Sequence, residues 1–91
     1  MSQVHGDPEE VRAFARSLHE FASETQEHLH RLRGQLEHLA YSSWSDSRHT
    51  EYSEMFGTLT EHFQRLFNDI ENEHEPHLER VAHLLDEVLQ A

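Results

Sequence analysis

The stretch LAYSSWSDSRHTEY, residues 39–52, separates two long runs of helical periodicity and therefore decides the fold. Serines surround Trp44, the only tryptophan of the chain, and Asp46 or Ser47 can cap the helix that follows. Because this segment is short, the helices on either side of it must lie antiparallel as a hairpin. A large indole here can close the open end of the helix–helix seam, with its N–H reaching solvent or a serine.

The run before the turn carries one apolar stripe with helical spacing. Its members are Val11, Phe14, Leu18, Phe21, Thr25, Leu29, Leu32, Leu36 and Leu39. Asp7 fits as the N-cap and Pro8 as the first helical residue, where a missing N–H does no harm. The pattern predicts a first helix over about residues 8–40.

The run after the turn carries a second stripe. Its members are Tyr52, Phe56, Leu59, Phe63, Leu66, Ile70, His77, Val81, Leu84 and Val88. Pro76 interrupts the run, because it lacks a backbone donor and its ring crowds the carbonyl of Asn72. We therefore expect a turn over 41–46 and a second helix over about 47–90, kinked near 72–76.

These elements predict an all-α fold in which residues 1–91 form a single antiparallel two-helix hairpin domain. With the turn centred near residue 44, Val11 is expected opposite the region of Pro76. The residues after Pro76 are then expected to extend beyond their own hairpin and to need a second chain, or a fold-back of the tail, to cover them. Two such hairpins pair into a four-helix bundle, here an antiparallel homodimer. The expected dimer interface comprises Phe14, Leu18, Phe21, Phe56, Phe63, Val81, Leu84 and Val88.

The composition limits the partners. Only 35% of the 91 residues are hydrophobic, so a large core within one chain is not expected and self-association is. The net charge of -11 argues against nucleic acid or an anionic membrane surface as partner. No stretch is apolar enough for membrane insertion, and the first residues, MSQVHGDPEEV, lack the pattern of a signal peptide. We expect a cytoplasmic protein, or one exported without a cleaved signal peptide.

Ten histidines raise the alternative of a metal-binding bundle of ferritin-like character. Glu-x-x-His occurs at Glu27 to His30 and at Glu71 to His74, a spacing that places both ligands on one helical face. In an antiparallel hairpin these two motifs are not level with each other. His74 and His77 are the better pair, but two histidines and a carboxylate make only a weak surface site. The chain has no cysteine, and we expect neither a metal nor another cofactor.

Catalytic signatures are missing from the sequence. There is no glycine-rich phosphate loop and no nucleophile motif, and a two-helix hairpin offers no reason for a deep cleft. The sequence therefore favours a non-enzymatic protein.

The turn Trp44-Ser45-Asp46 between two amphipathic helices resembles the WXG family, the small ESAT-like helical hairpins handled by type VII secretion systems. Asp46 stands where that family has glycine, so the turn resembles a Trp-x-Asp variant. Tyr52 and Phe56 occupy places where the family has aromatic residues in its second helix.

The resemblance implies hairpins that pair into four-helix bundles and a turn, here Trp44, Asp46 and Tyr52, that takes part in partner recognition. It implies a homodimer or a homologous hairpin as partner, and a secretion ATPase or a larger effector beyond it. The chain would act as a secretion-associated substrate or adaptor, or as a cytoplasmic adaptor without export. The family's C-terminal Tyr-x-x-x-Asp/Glu element has no counterpart here, since His83 stands four residues before Glu87.

Overall fold

The computed structural model describes residues 6–90, which are helical almost throughout. Helix α1 spans Pro8–Ser42, α2 spans Ser47–Asp69, a π-helical turn spans Ile70–His74, and α3 spans Glu75–Gln90. These residues contain no β-strand, and only 43–46 separate α1 from α2. The predicted all-α helical hairpin is therefore confirmed. None of the helices in the described part is long and apolar enough to cross a membrane.

The contacts group the chain into two compact units. The terminal unit is Met1–Ala22 with Asn68–Ala91, and the turn unit is Ser23–Phe67. Statements on the terminal unit concern its described residues, 6–22 and 68–90. The single domain over 1–91 stays a prediction.

Helix α1 begins at the predicted cap. The side-chain Oδ1 of Asp7 accepts the backbone N–H of Glu9 at 2.9 Å. The Asp7 carbonyl accepts the N–H groups of Glu10 at 3.0 Å and Val11 at 3.1 Å. Pro8, the first helical residue, has no N–H to satisfy. The two glutamates also place negative charge at the positive end of the helix dipole.

Pro76 does not end the second arm of the hairpin. Instead, the five residues before α3 form the π-helical turn, in which the N–H of Glu75 donates to the carbonyl of Ile70, five residues earlier. A π-turn absorbs an extra residue within a helix and is a known way to relieve a local obstacle. The chain therefore passes the proline without a gap, and α3 continues to Gln90.

A charged seam joins α1 to α3 within the terminal unit. Arg12 places Nη2 2.5 Å from Asp86 Oδ2 and Nε 3.7 Å from Glu79 Oε1. Two helical turns further along α1, His19 Nδ1 donates to Glu75 Oε1 at 2.7 Å. The hydrogen bond from Arg12, helped by its charge, lowers the pKa of the Asp86 carboxyl below its ordinary value. We call Arg12, His19, Glu75, Glu79 and Asp86 the charged seam.

The prediction that residues after Pro76 extend beyond their own hairpin is wrong. Asp86 pairs with Arg12 in the second turn of α1. Gly6 lies so close to Leu85 that a Cβ at this glycine would stand 2.9 Å from Leu85 Cδ1. Gly6, which precedes α1, and the long side chain of Arg12 thus both reach residues of α3 that lie well beyond Pro76.

The tail of the chain is accordingly packed on one side only. Ala82 is fully buried, and Val81 is half-buried. Leu84 and Val88, from the expected dimer interface, are exposed. Only part of α3 is therefore left for another chain to cover.

The turn unit holds the aromatic core of the second arm. Phe56 is 7% exposed and Phe67 is 5% exposed. The rings of Phe63 and Phe67 stack at 6.0 Å with an interplanar angle of 25°. Phe67 and Leu29 of α1 line one groove between the arms. Phe56 was expected in a dimer interface, but its burial within the chain leaves little surface for a partner.

The charged seam predicts a pH-dependent contribution to stability. Because the pKa of Asp86 is lowered on folding, its contribution is complete above the unfolded-state value of about 3.9 and is lost as the pH falls through the lower folded-state value. We expect Asp86→Asn to lower the melting temperature at pH 7, and the difference from the wild type to vanish in acid.

The matched control is Glu87→Gln, because Glu87 pairs only along α3, with His83 at 3.2 Å. Thermal unfolding followed by circular dichroism between pH 2 and 7 measures both variants. Equal melting temperatures for the two variants at pH 7 would contradict a role for the seam.

Candidate functional site

The end of α1 sets the position of Trp44. The carbonyl of Leu39 accepts the backbone N–H of Ser43 at 3.0 Å and that of Trp44 at 2.7 Å. These bonds close the last turn of the helix and hold Trp44 directly beyond it. No described residue has a positive φ, so the turn does not require glycine. Asp46 can therefore stand in the turn without backbone strain.

Asp46 makes three hydrogen bonds through one carboxylate oxygen. Its Oδ1 accepts the backbone N–H groups of Arg48 at 2.9 Å and His49 at 3.3 Å, which confirms the predicted N-cap of α2. The same oxygen accepts the indole N–H of Trp44 at 2.9 Å. The expectation that this N–H reaches solvent or a serine is therefore wrong, because the capping carboxylate is the nearer acceptor.

His49 joins the two helices behind the turn. Its Nε2 lies 2.8 Å from the carbonyl of Leu36. Since a carbonyl oxygen can only accept, Nε2 must carry a proton and donate to it. Its Nδ1 lies 3.5 Å from the hydroxyl of Ser53. The imidazole also meets the Trp44 ring edge to face, with the centroids 5.2 Å apart at 83°.

The sequence analysis did not assign His49 a role. The residue stands seven positions before Phe56 and therefore on the same helical face as the core. That spacing was the available signal, but one histidine among ten did not stand out.

Tyr52 completes the cluster at the turn. Its ring centroid lies 6.4 Å from that of Trp44, at a tilt of 35°. Tyr52 is exposed and Trp44 is half-buried, so the indole both fills the end of the seam and keeps some open surface. We call Trp44, Asp46, His49 and Tyr52 the Trp44 cluster. Three of its members were predicted as the recognition turn.

A second feature of the turn unit is an outer apolar face. Its exposed members are Leu32 and Leu39 on α1 and Tyr52, Met55, Leu59 and Leu66 on α2. On each helix the exposed stripe lies roughly 70° from the buried stripe, in the same rotational sense, at about 100° per residue. In antiparallel helices this places both stripes on one side of the hairpin.

Four exposed carboxylates of the turn unit lie away from this face. The exposed carboxylates of Glu27, Glu37, Glu54 and Glu61 occupy the opposite side of α1 and α2. None of the six residues of the outer apolar face belonged to the dimer interface predicted from the sequence. The helical pattern placed these residues on the stripe, but it could not divide the stripe into an inner and an outer part.

The terminal unit also exposes apolar side chains. Phe14 is 59% exposed, and Phe21 is exposed too, whereas Leu18 is half-buried. Phe14 and Leu18 line an open groove of about 590 Å³ beside the π-turn, which His74 and His77 also line.

The two histidines of this groove were the weak metal candidates. In residues 6–90 no three histidine, cysteine or carboxylate side chains come together in a way that could hold a metal ion. His74 and His77 therefore lack a third ligand there.

Comparison with known proteins agrees with this geometry. The family model described as proteins of 100 residues with WXG matches residues 3–85. The chain belongs to the WXG100 family. WXG100 proteins are small helical hairpins secreted by type VII systems, which agrees with the resemblance of the Trp44 turn. In this WXG100 chain Asp46 replaces the glycine of the motif. No curated protein and no solved structure matches the chain.

The Trp44 cluster predicts an effect on stability. We expect His49→Ala to destabilise the fold by about 1–2 kcal/mol, because it removes a hydrogen bond between helices and an aromatic contact. His62→Ala is the matched control, since His62 is exposed on the same helix and should change stability by less than about 0.5 kcal/mol. Urea unfolding of both variants measures this difference in stability, and equal midpoints would mean that His49 does not stabilise the fold.

Proposed function

We propose that this WXG100 chain is a non-enzymatic interaction module of type VII secretion that acts as an antiparallel homodimer. The observation that carries the proposal is the outer apolar face of the turn unit. It is apolar on both helices and lies on the side away from four exposed carboxylates. A hairpin with such a face can bury it against a second copy and leave its acidic side in water.

The magnitude of the burial favours association. The six side chains of the outer apolar face are each worth roughly 1.5–3 kcal/mol when fully buried. Because these side chains are only 36–67% exposed, covering them in both copies contributes about half of that value, or about 9–18 kcal/mol, whereas association costs about 4–15 kcal/mol. Exposed Phe14, Leu84 and Val88 of the terminal unit add further apolar surface. A homologous hairpin with a similar face is the other partner that this surface fits.

The Trp44 cluster is the second contact surface in this proposal. A half-buried tryptophan beside an exposed tyrosine is a typical anchor of protein interfaces. We assign Trp44, Asp46 and Tyr52 to recognition by a secretion ATPase or a larger effector. Nucleic acid is not a partner in this proposal, because a net charge of -11 repels a phosphate backbone.

The outer apolar face predicts how self-association responds to a charge. Leu59→Glu places a carboxylate in the centre of the face and should raise the dimer dissociation constant by at least about tenfold, since burying a charge is costly. Thr50→Glu adds the same charge on the opposite side of α2 and should leave association nearly unchanged.

Sedimentation equilibrium of the wild type and both variants measures this difference. A wild-type chain that stays monomeric at micromolar concentration contradicts the homodimer and favours a heterologous hairpin. Equal weakening by both charges would instead point to net repulsion between acidic chains.

Recognition by the turn predicts a separate effect. Trp44→Ala should reduce export of the chain by its type VII system while leaving helix content and dimer affinity nearly intact. Immunodetection inside and outside the producing cell, with circular dichroism of the purified variant, measures both. Unchanged export would contradict the recognition role, and a melted variant would make Trp44 a structural plug only. A wild-type chain that never leaves the cell would favour the adaptor without export.

A further inference from the structure

The Trp44 cluster converges on a single atom. Oδ1 of Asp46 accepts the indole N–H at 2.9 Å and also two backbone N–H groups from the first turn of α2. One carboxylate oxygen therefore links the orientation of the tryptophan to the start of a helix. The negative charge at this position also faces the positive end of that helix dipole.

The remaining neighbours restrict the ring further. His49 meets the indole at 83° and is itself held by the carbonyl of Leu36. The ring centroid of Tyr52 lies 6.4 Å from that of the indole. Trp44 thus has one polar tether, the hydrogen bond to Asp46, and two aromatic neighbours, His49 and Tyr52. Of these two neighbours, His49 is fixed to α1. The tether is the contact that a single substitution can remove without changing the aromatic surroundings.

The chemistry of indole gives the tether a consequence. Indole has one hydrogen-bond donor and no acceptor. While Asp46 binds that donor, Trp44 can offer a partner only aromatic surface. A pocket that fits this surface is apolar and has no acceptor aimed at the indole nitrogen, because such an acceptor would be left without a donor.

We propose that Asp46 is a positioning residue, which holds Trp44 in one orientation and withholds its only donor from partners. The proposal rests on the proposed function in so far as Trp44 contacts a partner. Fixing a side chain before binding avoids the loss of its rotamer freedom on binding, which corresponds to about 2- to 10-fold in affinity. The glycine of the family motif can also cap a helix, but it has no side chain that can bind the indole.

The test uses the full chain labelled with ¹⁵N. Its single tryptophan gives one indole N–H signal, whose exchange with solvent reports the tether directly. We expect Asp46→Gly to accelerate this exchange by about 2- to 10-fold, the range that one net hydrogen bond supports. Asp46→Asn keeps an acceptor oxygen and should retain most of the protection. Both variants should keep their helix content, because asparagine and glycine are both adequate N-caps.

Asp7→Gly is the matched control. Asp7 caps α1 through the same kind of bond, to the N–H of Glu9 at 2.9 Å, but has no tryptophan beside it. We expect this variant to leave the indole exchange rate unchanged.

Two results would overturn the proposal. One is an unchanged exchange rate in Asp46→Gly, and the other is equal acceleration in Asp7→Gly, which would trace the effect to a lost cap. The exchange experiment contains no partner, so it can fail while Trp44 still recognises one. Conversely, unchanged export of Trp44→Ala would end the recognition role and leave the tether intact.

Discussion

The carboxylate of Asp46 closes the turn on which the rest of the hairpin depends. Two helices joined by residues 43–46 can lie side by side only if the first ends and the second begins without strain. The Leu39 carbonyl provides the end of α1, and Asp46 provides the start of α2. Because the same carboxylate also binds the indole N–H, the residue that directs the second helix also orients the tryptophan. In this member of the WXG100 family, the motif position therefore has a structural role, and our proposal adds a functional one.

The contacts between helices differ in chemistry between the terminal unit and the turn unit. In the terminal unit, α1 and α3 are joined by Arg12 with Asp86 and by His19 with Glu75. In the turn unit, Phe56 and Phe67 form the core, while Met55 and Leu59 remain exposed beside them. The apolar stripe is wider than a single neighbouring helix can cover, so part of it stays exposed. That excess is the surface that the proposed association with a second hairpin would bury.

The path of the chain past Pro76 shows how a local rule and a tertiary contact combine. The proline removes a donor and crowds a carbonyl, which would favour a break in an isolated helix. Here the π-turn takes up the obstacle, and α3 remains packed on α1 through fully buried Ala82 and the Arg12 to Asp86 pair. The residues after Pro76, which were expected to extend beyond the hairpin, are therefore partly covered by their own chain. As a result of this packing, the charged seam lies on one side of α3, and Leu84 and Val88 are exposed on another.

The sequence by itself determined the helices, the hairpin, the cap at Asp7 and the family of the Trp44 turn. Helical periodicity and capping chemistry act over three or four residues, so they are visible without tertiary contacts. Only the tertiary structure decided that Phe56 is buried and Met55 exposed, since both lie on one wide stripe. It also decided that Arg12 meets Asp86, because helical periodicity does not fix which side chains of two packed helices reach each other. The bond from Trp44 to Asp46 and the role of His49 were likewise hidden, because each depends on side-chain directions that helix geometry and packing set together.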